Sequence, residues 1–495
     1  MKTQSCLCLK RLMVFLIVNA MLFISCSNEL DKTIRSAISD GVISNDEWEK
    51  LKTESLSTDQ FIGEDGGIDT VELKNHVVEY AKSLRGVDSI VFSSEGESGS
   101  PISPILFKFF LERSGSMIPY DAPSTNGYFK IAIADLLSAV PNSCDENNLM
   151  FIVNNKVTPF HKTFKDFVQS SDIMKETDGY GDPKYTDFSC IFDSVLNRTK
   201  DNEVSILVSD MIYSDKNYQN KSPERITEEA SLLTKKIFRG HEDKDILIIK
   251  LNSGYNGQYY PYNNPIKGNV YLGNRPYYMM IVAKSDVMHR LFNLPEYSRF
   301  CDFKHLKGYE NYYCFTRQSD NPKYSILFKG SSRFKAEKQK KTEIHSIKRL
   351  TADRSGETKL VVAVDMSSII TEPEYLTNVQ NYQVQSKSGF VVSDVKAIDK
   401  ADMPGDIYHY VPTATHLLEL TTTEGIVNET VSVSLMNKFP LWIEKSSTND
   451  DRNTKTPSFA NTTFGFKSMM YGIYEAIYPT IKPPVYYELI LNVKK

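Results

Sequence analysis

The run Phe110-Leu111-Glu112-Arg113-Ser114-Gly115-Ser116-Met117 places a carboxylate and two hydroxyls at every second position directly after an apolar segment. A serine so placed could act as a nucleophile only with a base beside it. His161, His241 and His289 stand in segments with no nucleophile-elbow or triad pattern. The carboxylate pairs that could support hydrolysis, Glu242 with Asp243 and Asp450 with Asp451, fall in polar stretches that read as solvated loops. No glycine-rich loop follows a strand in the way phosphate binding requires. No CxxC, HExxH or clustered His/Cys spacing offers a zinc site. The chain therefore reads as a binding protein, not an enzyme. With 58 basic against 62 acidic residues and a net charge of -4, it has no cationic excess for nucleic acid.

A second group of residues has the composition of a binding loop. Tyr255, Tyr259, Tyr260, Tyr262 and Tyr271 lie among asparagines, glycines and prolines, where rings give contact area at low entropic cost and could stack on sugars. The plainer reading of the same segment is a long surface hairpin packed on its own tyrosines.

Elements must position these groups. From residue 88 to 329, short apolar runs alternate with amphipathic stretches, as in a parallel sheet with crossover helices. Strands are expected at 105–112, 149–154, 204–210, 246–252 and 278–283, and helices at 129–140, 187–197, 224–238 and 287–292. Residues 26–87 carry helical periodicity, with Leu30, Ile34, Ala37 and Ile38 followed by Trp48 and Leu51. Two loops in that module match the second half of a calcium loop, at Asp40-Gly41 with Glu47 and at Asp65-Gly66 with Glu72. Their first halves fail: Ser36 offers a neutral hydroxyl, and Ile38, Phe61 and Gly63 offer no side-chain oxygen, so the loops are read as metal-free. The lysine-rich interval 330–345 reads as a linker or exposed hairpin. Strands at 359–364, 382–386, 417–422, 432–436 and 487–493 then predict a β-sandwich over 346–495, with a helical insertion at 464–477 that could dock it on its neighbour.

The α/β segment resembles the von Willebrand factor A domain, whose first strand ends in an Asp-x-Ser-x-Ser motif. That family's fold is a doubly wound, mostly parallel sheet, and the likeness spans about 200 residues. Thr186 in Tyr185-Thr186-Asp187-Phe188 falls where the family has a threonine at a helix start, and Ser209-Asp210 where it has a hydroxyl and an aspartate at a strand end. The resemblance implies a metal-ion-dependent adhesion site of Glu112, Ser114, Ser116, Thr186 and Asp210 around Mg2+ or another divalent cation. The hydroxyls would be direct ligands and the carboxylates would hold bound waters, with one position left for an acidic group of the ligand. Glu112 stands where the family has aspartate, so its carboxylate lies about one bond length further out.

The amino-terminal end indicates where such a protein would work. Lys2, Lys10 and Arg11 precede an apolar stretch from Leu12 to Ile24 that is too short to span a bilayer. Leu22-Phe23-Ile24-Ser25-Cys26-Ser27 resembles the lipobox of bacterial lipoproteins, which implies cleavage after residue 25, lipid on Cys26 and an outer-membrane location in the cell envelope. Of the seven cysteines, Cys144, Cys190, Cys301 and Cys314 would then remain, with Cys301 and Cys314 near enough in sequence to pair in an oxidising compartment. Three roles compete. The first is a lipid-anchored receptor for a protein or glycan ligand. The others are a metal-free docking component of an envelope assembly or secretion complex, and a metal-dependent hydrolase.

Overall fold

The computed structural model describes residues 104–495 apart from 185, 214–220, 265, 318, 320, 338–342, 400–404 and 479–482. Before that it describes 30–35, 37, 42–43, 45–55, 61, 68, 70–83 and 91–92. The leader, Cys26 and most of both calcium-like loops lie outside the described residues. The chain divides into two compact units, Met1–Ser103 and Pro104–Lys495. In the first, helices Asn45–Ser55 and Thr70–Ser83 bury Trp48, Leu51, Leu73 and Val77 together with Leu30, Ile34, Ala37, Ile43 and Phe61. The i, i+3 and i, i+4 spacing of these residues makes one apolar stripe on each helix. Val42–Ile43 pairs in parallel with Val91–Phe92, so the unit runs past residue 87 to Ser103.

The second unit is built on a seven-stranded sheet. Its strands are β1 (Leu106–Glu112), β2 (Leu149–Val153), β3 (Val157–Phe160), β4 (Glu203–Ser209), β5 (Lys244–Tyr259), β6 (Asn269–Lys284) and β7 (Tyr309–Phe315). Their order is β3-β2-β1-β4-β6-β5-β7. The core β2-β1-β4 is parallel, and β3 pairs antiparallel at one edge. Beyond β4 the expected parallel pattern gives way to the antiparallel pairs β4/β6, β5/β6 and β5/β7. The reason is local: β5 and β6 each run for 16 residues as one hairpin, far beyond the apolar cores that marked them in the sequence.

Both faces of the sheet are covered. Phe107, Phe109 and Leu111 of β1 face helices α1 (Tyr128–Ser138) and α4 (Ser285–Asn293), whereas Phe110 faces α2 (Phe188–Arg198), following the two-residue alternation of a strand. Lys108, buried in this apolar run, is neutralised by Glu203 at 2.5 Å. The second face is completed by α3 (Pro223–Phe238) and by α5 (Phe466–Ile477), which comes from the far end of the chain. Gly472 lets α5 lie against α3: a Cβ there would stand 2.1 Å from Thr234 Oγ1 and 2.2 Å from the Ser231 carbonyl oxygen.

Between these parts, a four-stranded and a five-stranded sheet enclose one core that includes Leu360, Val362, Leu418 and Leu420 from one sheet and Val431, Val433, Leu489 and Leu491 from the other. Nearly all their strand pairs are antiparallel; Ser346–Lys348 pairs in parallel with 492–494. The interval expected to be a linker or exposed hairpin takes the second form and joins this sandwich, because Lys335–Ala336 pairs antiparallel with Ile347 and Lys348. Cys144, Cys190, Cys301 and Cys314 are all free thiols, so the expected pairing of Cys301 with Cys314 is not present. No helix among the described residues is long and apolar enough to cross a membrane.

Candidate functional site

Three loops meet at the carboxyl ends of β1 and β4 and the start of α2. The first is Arg113–Met117. It is tied down by backbone bonds from Arg113 N to Val153 O (2.9 Å) and from Gly115 N to Pro183 O (2.9 Å), while the amides of Met117 and Ile118 turn back to Ser114 O. Ser114 and Ser116 hydroxyls stand 3.0 Å apart. The second loop brings Thr186 to the start of α2, where Asp187 N donates to Asn154 O and the Asp187 carboxylate caps the Cys190 amide. This is an ordinary N-cap, which fixes the helix entry and with it the preceding threonine. The third is Asp210-Met211-Ile212 after β4. Its turn is closed by Ile212 N to Asp210 Oδ1 (3.1 Å) and Met211 N to Ser209 Oγ (2.8 Å), and Met211 is held at φ +54°. A positive φ at a buried, bulky residue is a costly conformation, and such outliers gather at sites that need an unusual backbone path.

All five residues expected to surround a cation are brought together. Thr186 Oγ1 donates to Glu112 Oε1 at 2.6 Å, and Ser209 donates to Oε2. The Ser114 hydroxyl also favours the ionised form of the Glu112 carboxyl, and the Ser116 hydroxyl that of Asp210. Both acids are buried, at 1 % exposure each. Burial, then the charge of Asp210, pushes the Glu112 carboxyl up to about 8 against the pull of its hydroxyl donors. Asp210 is likewise raised by burial, opposed by Ser116, the Ile212 amide and Arg275. Two buried carboxyls so close together each make ionisation of the other harder. Asp210 Oδ2 is buried with no hydrogen-bond partner.

The extra methylene of Glu112 has a visible result: its carboxylate sits among the hydroxyls themselves and takes two of them directly. Above this layer opens a cleft of about 1450 Å³, with Ser114, Ser116 and Thr186 on its floor and Ile118, Pro119, Lys175, Tyr260 and Ile266 among its walls. No group of three or more His, Cys, Asp or Glu comes together among the described residues. A cation here would rest on hydroxyls with only two carboxylates behind them. The residues fit that role: the unpartnered Asp210 oxygen and three hydroxyls form an all-oxygen donor set suited to a hard ion.

The tyrosines divide. Tyr255 and Tyr259, expected on a ligand surface, are instead buried in the core, because the segment takes the plainer reading, a long hairpin in which Tyr255 packs against Tyr271. Tyr255 meets Tyr120 edge-on at 5.0 Å, and the Tyr259 hydroxyl donates to Asp451 Oδ2 at 2.7 Å. Tyr262 stacks on Phe464 at 4.8 Å and gives its amide to Asp451 Oδ1. Tyr260 alone of the four lines the cleft. Its ring lies over Gly115, where a Cβ would come within 2.9 Å of it, so glycine between the two serines is what admits the ring. Sequence reasoning missed Ser209 as a hydroxyl donor and Asp451 and Arg275 as supports. Ser209 was legible as the strand-end neighbour of Asp210; the other two act through residues far away in sequence. No protein-family model, curated protein or solved structure matches the chain.

Proposed function

We propose that the protein is a lipid-anchored, extracytoplasmic receptor in which a von Willebrand A-like site assists recognition with a divalent cation. The observation that carries the reading is the buried, unpartnered Oδ2 of Asp210, on a loop that meets those of Ser114, Ser116 and Thr186, whose residues line the cleft. Leaving a buried carboxylate oxygen without a partner is costly, and a bound cation or its water would satisfy it. Ser114, Ser116 and Thr186 would hold the ion, with Glu112 and Asp210 outside them; when bound, it supplies a positive centre for an acidic group of the ligand. A protein ligand is favoured over a glycan. Ile266, Val270 and Leu272, at 75 %, 73 % and 73 %, are the most exposed large apolar side chains among the described residues and share the hairpin that borders the cleft through Ile266. Anchoring through Cys26 rests on the leader and lipobox pattern.

A metal-free docking role has its own support in the hydroxyls that already occupy both oxygens of Glu112. Calorimetric titration of the chain with MgCl2 separates the two. The receptor reading expects saturable binding that disappears in Asp210→Ala; no binding by the parent, or equal binding by the variant, refutes it.

A further inference from the structure

Arg275 is a fully buried cation that the binding role leaves unused. It lies on β6 just past the end of the ladder with β4, whose last pair is Ser209 with Tyr278. Extending that register by one step would set Asp210 across from Tyr277 and diagonal to Arg275, on one face by the two-residue alternation of a strand, and the charge of Arg275 does act on the Asp210 carboxyl. Only one of the guanidinium nitrogens is used. Nη1 donates to the carbonyl oxygens of Phe459 and Thr462, the latter at 2.9 Å. The group lies 4.1 Å from the Phe459 ring and 4.7 Å from that of Tyr259. Nε and Nη2 are buried without hydrogen-bond partners, as are Asp210 Oδ2 and the Tyr277 hydroxyl. Two buried acids feel this charge: Asp210 from the sheet and Asp451 from the returning segment.

We infer that Arg275 is a buried counter-charge to the candidate cation site, a positioning residue that sets how strongly the site draws a divalent ion while the 451–463 segment holds it in place. The inference rests on the cation-assisted reading above. A guanidinium in a water-excluded interior repels a nearby divalent ion at long range, because the protein screens charge far less than water does. It also stabilises the anionic floor when no ion is present. A residue that merely pinned Phe459 and Thr462 would have no such effect on affinity.

The test is calorimetric titration of the full chain with MgCl2, with thermal melting of each variant in parallel. Arg275→Met is expected to bind Mg2+ about tenfold more tightly than the parent although it melts lower, and Arg275→Lys to stay within about twofold of the parent. Unchanged or weaker binding by Arg275→Met overturns the inference while leaving the receptor reading intact. If Arg275→Met does not fold, Asp451→Asn decides. It strips Arg275 of one compensating charge and is expected to weaken Mg2+ binding about threefold; unchanged or tighter binding overturns the inference. Absence of Mg2+ binding by the parent removes both readings together.

Discussion

Replacing Glu112 by glutamine is expected to make the metal-free protein more stable above neutral pH, although Glu112 lies in the site. Its carboxyl is fully buried and raised from 4.5 to about 8, first by burial and then by Asp210. For an acid whose folded value lies above its unfolded value, stability is fully present below the unfolded value, about 4.5, and is lost as pH rises through the folded value. Between about pH 5 and pH 8 this one group therefore removes about 3 kcal/mol of folding stability, since each tenfold change in proton affinity corresponds to ~1.4 kcal/mol. Glutamine keeps the shape of the neutral acid and cannot ionise, and it also lifts the like-charge burden from Asp210. Urea denaturation in EDTA at the two pH values, for parent and Glu112→Gln, measures the difference. The parent should lose about 3 kcal/mol more than the variant across the interval. Parallel losses in the two proteins would show that Glu112 carries no such penalty.

Gly472→Ala should lower the thermal midpoint of the second unit. The new methyl group meets a backbone carbonyl at 2.2 Å, which cannot rotate away, so α5 must back off α3 at a cost of about 1–3 kcal/mol. Thiol titration with an aromatic disulfide at mildly alkaline pH should find Cys144 fast and Cys314 silent until denaturant is added. Cys144 is exposed, whereas burial pushes the thiols of Cys301 and Cys314 far up. Finding only two titratable thiols among these four in denaturant would contradict the free-thiol arrangement.

The regular elements were legible where burial imposes a period. The central strand read from Ile105 to Glu112 spans Leu106–Glu112, and the helix expected at 224–238 spans Pro223–Phe238 with Ser222 as its cap. Hairpin arms were not legible beyond the sheet, because Asn256, Gly257 and Gln258 carry no apolar alternation and are held as strand by pairing with Leu272, Tyr271 and Val270. The short strand Val157–Phe160 escaped for the same reason: its partner, not its own composition, keeps it extended. At the site, residue types and order indicated which hydroxyls and carboxylates would gather. The sequence could not indicate that Glu112 would reach the hydroxyls directly, since that depends on one methylene and on how deeply β1 is buried. Tyr255 and Tyr259 misled because tyrosines among glycine and asparagine read alike in a binding loop and in a core-facing hairpin.

Helix α5 has a consequence for how the chain reaches this state. It covers Tyr278 through a ring stack with Phe466 at 4.0 Å, yet it is synthesised after most of the intervening sandwich. A nascent chain that has emerged only as far as β7 thus holds every strand of the large sheet but lacks the lid for one side, leaving Met280 and its neighbours with only α2 and α3 for cover. Such an intermediate would expose apolar surface of the kind that favours aggregation until the end of the polypeptide arrives. Vectorial synthesis therefore makes the carboxyl-terminal residues the step on which completion of the site-bearing layer waits.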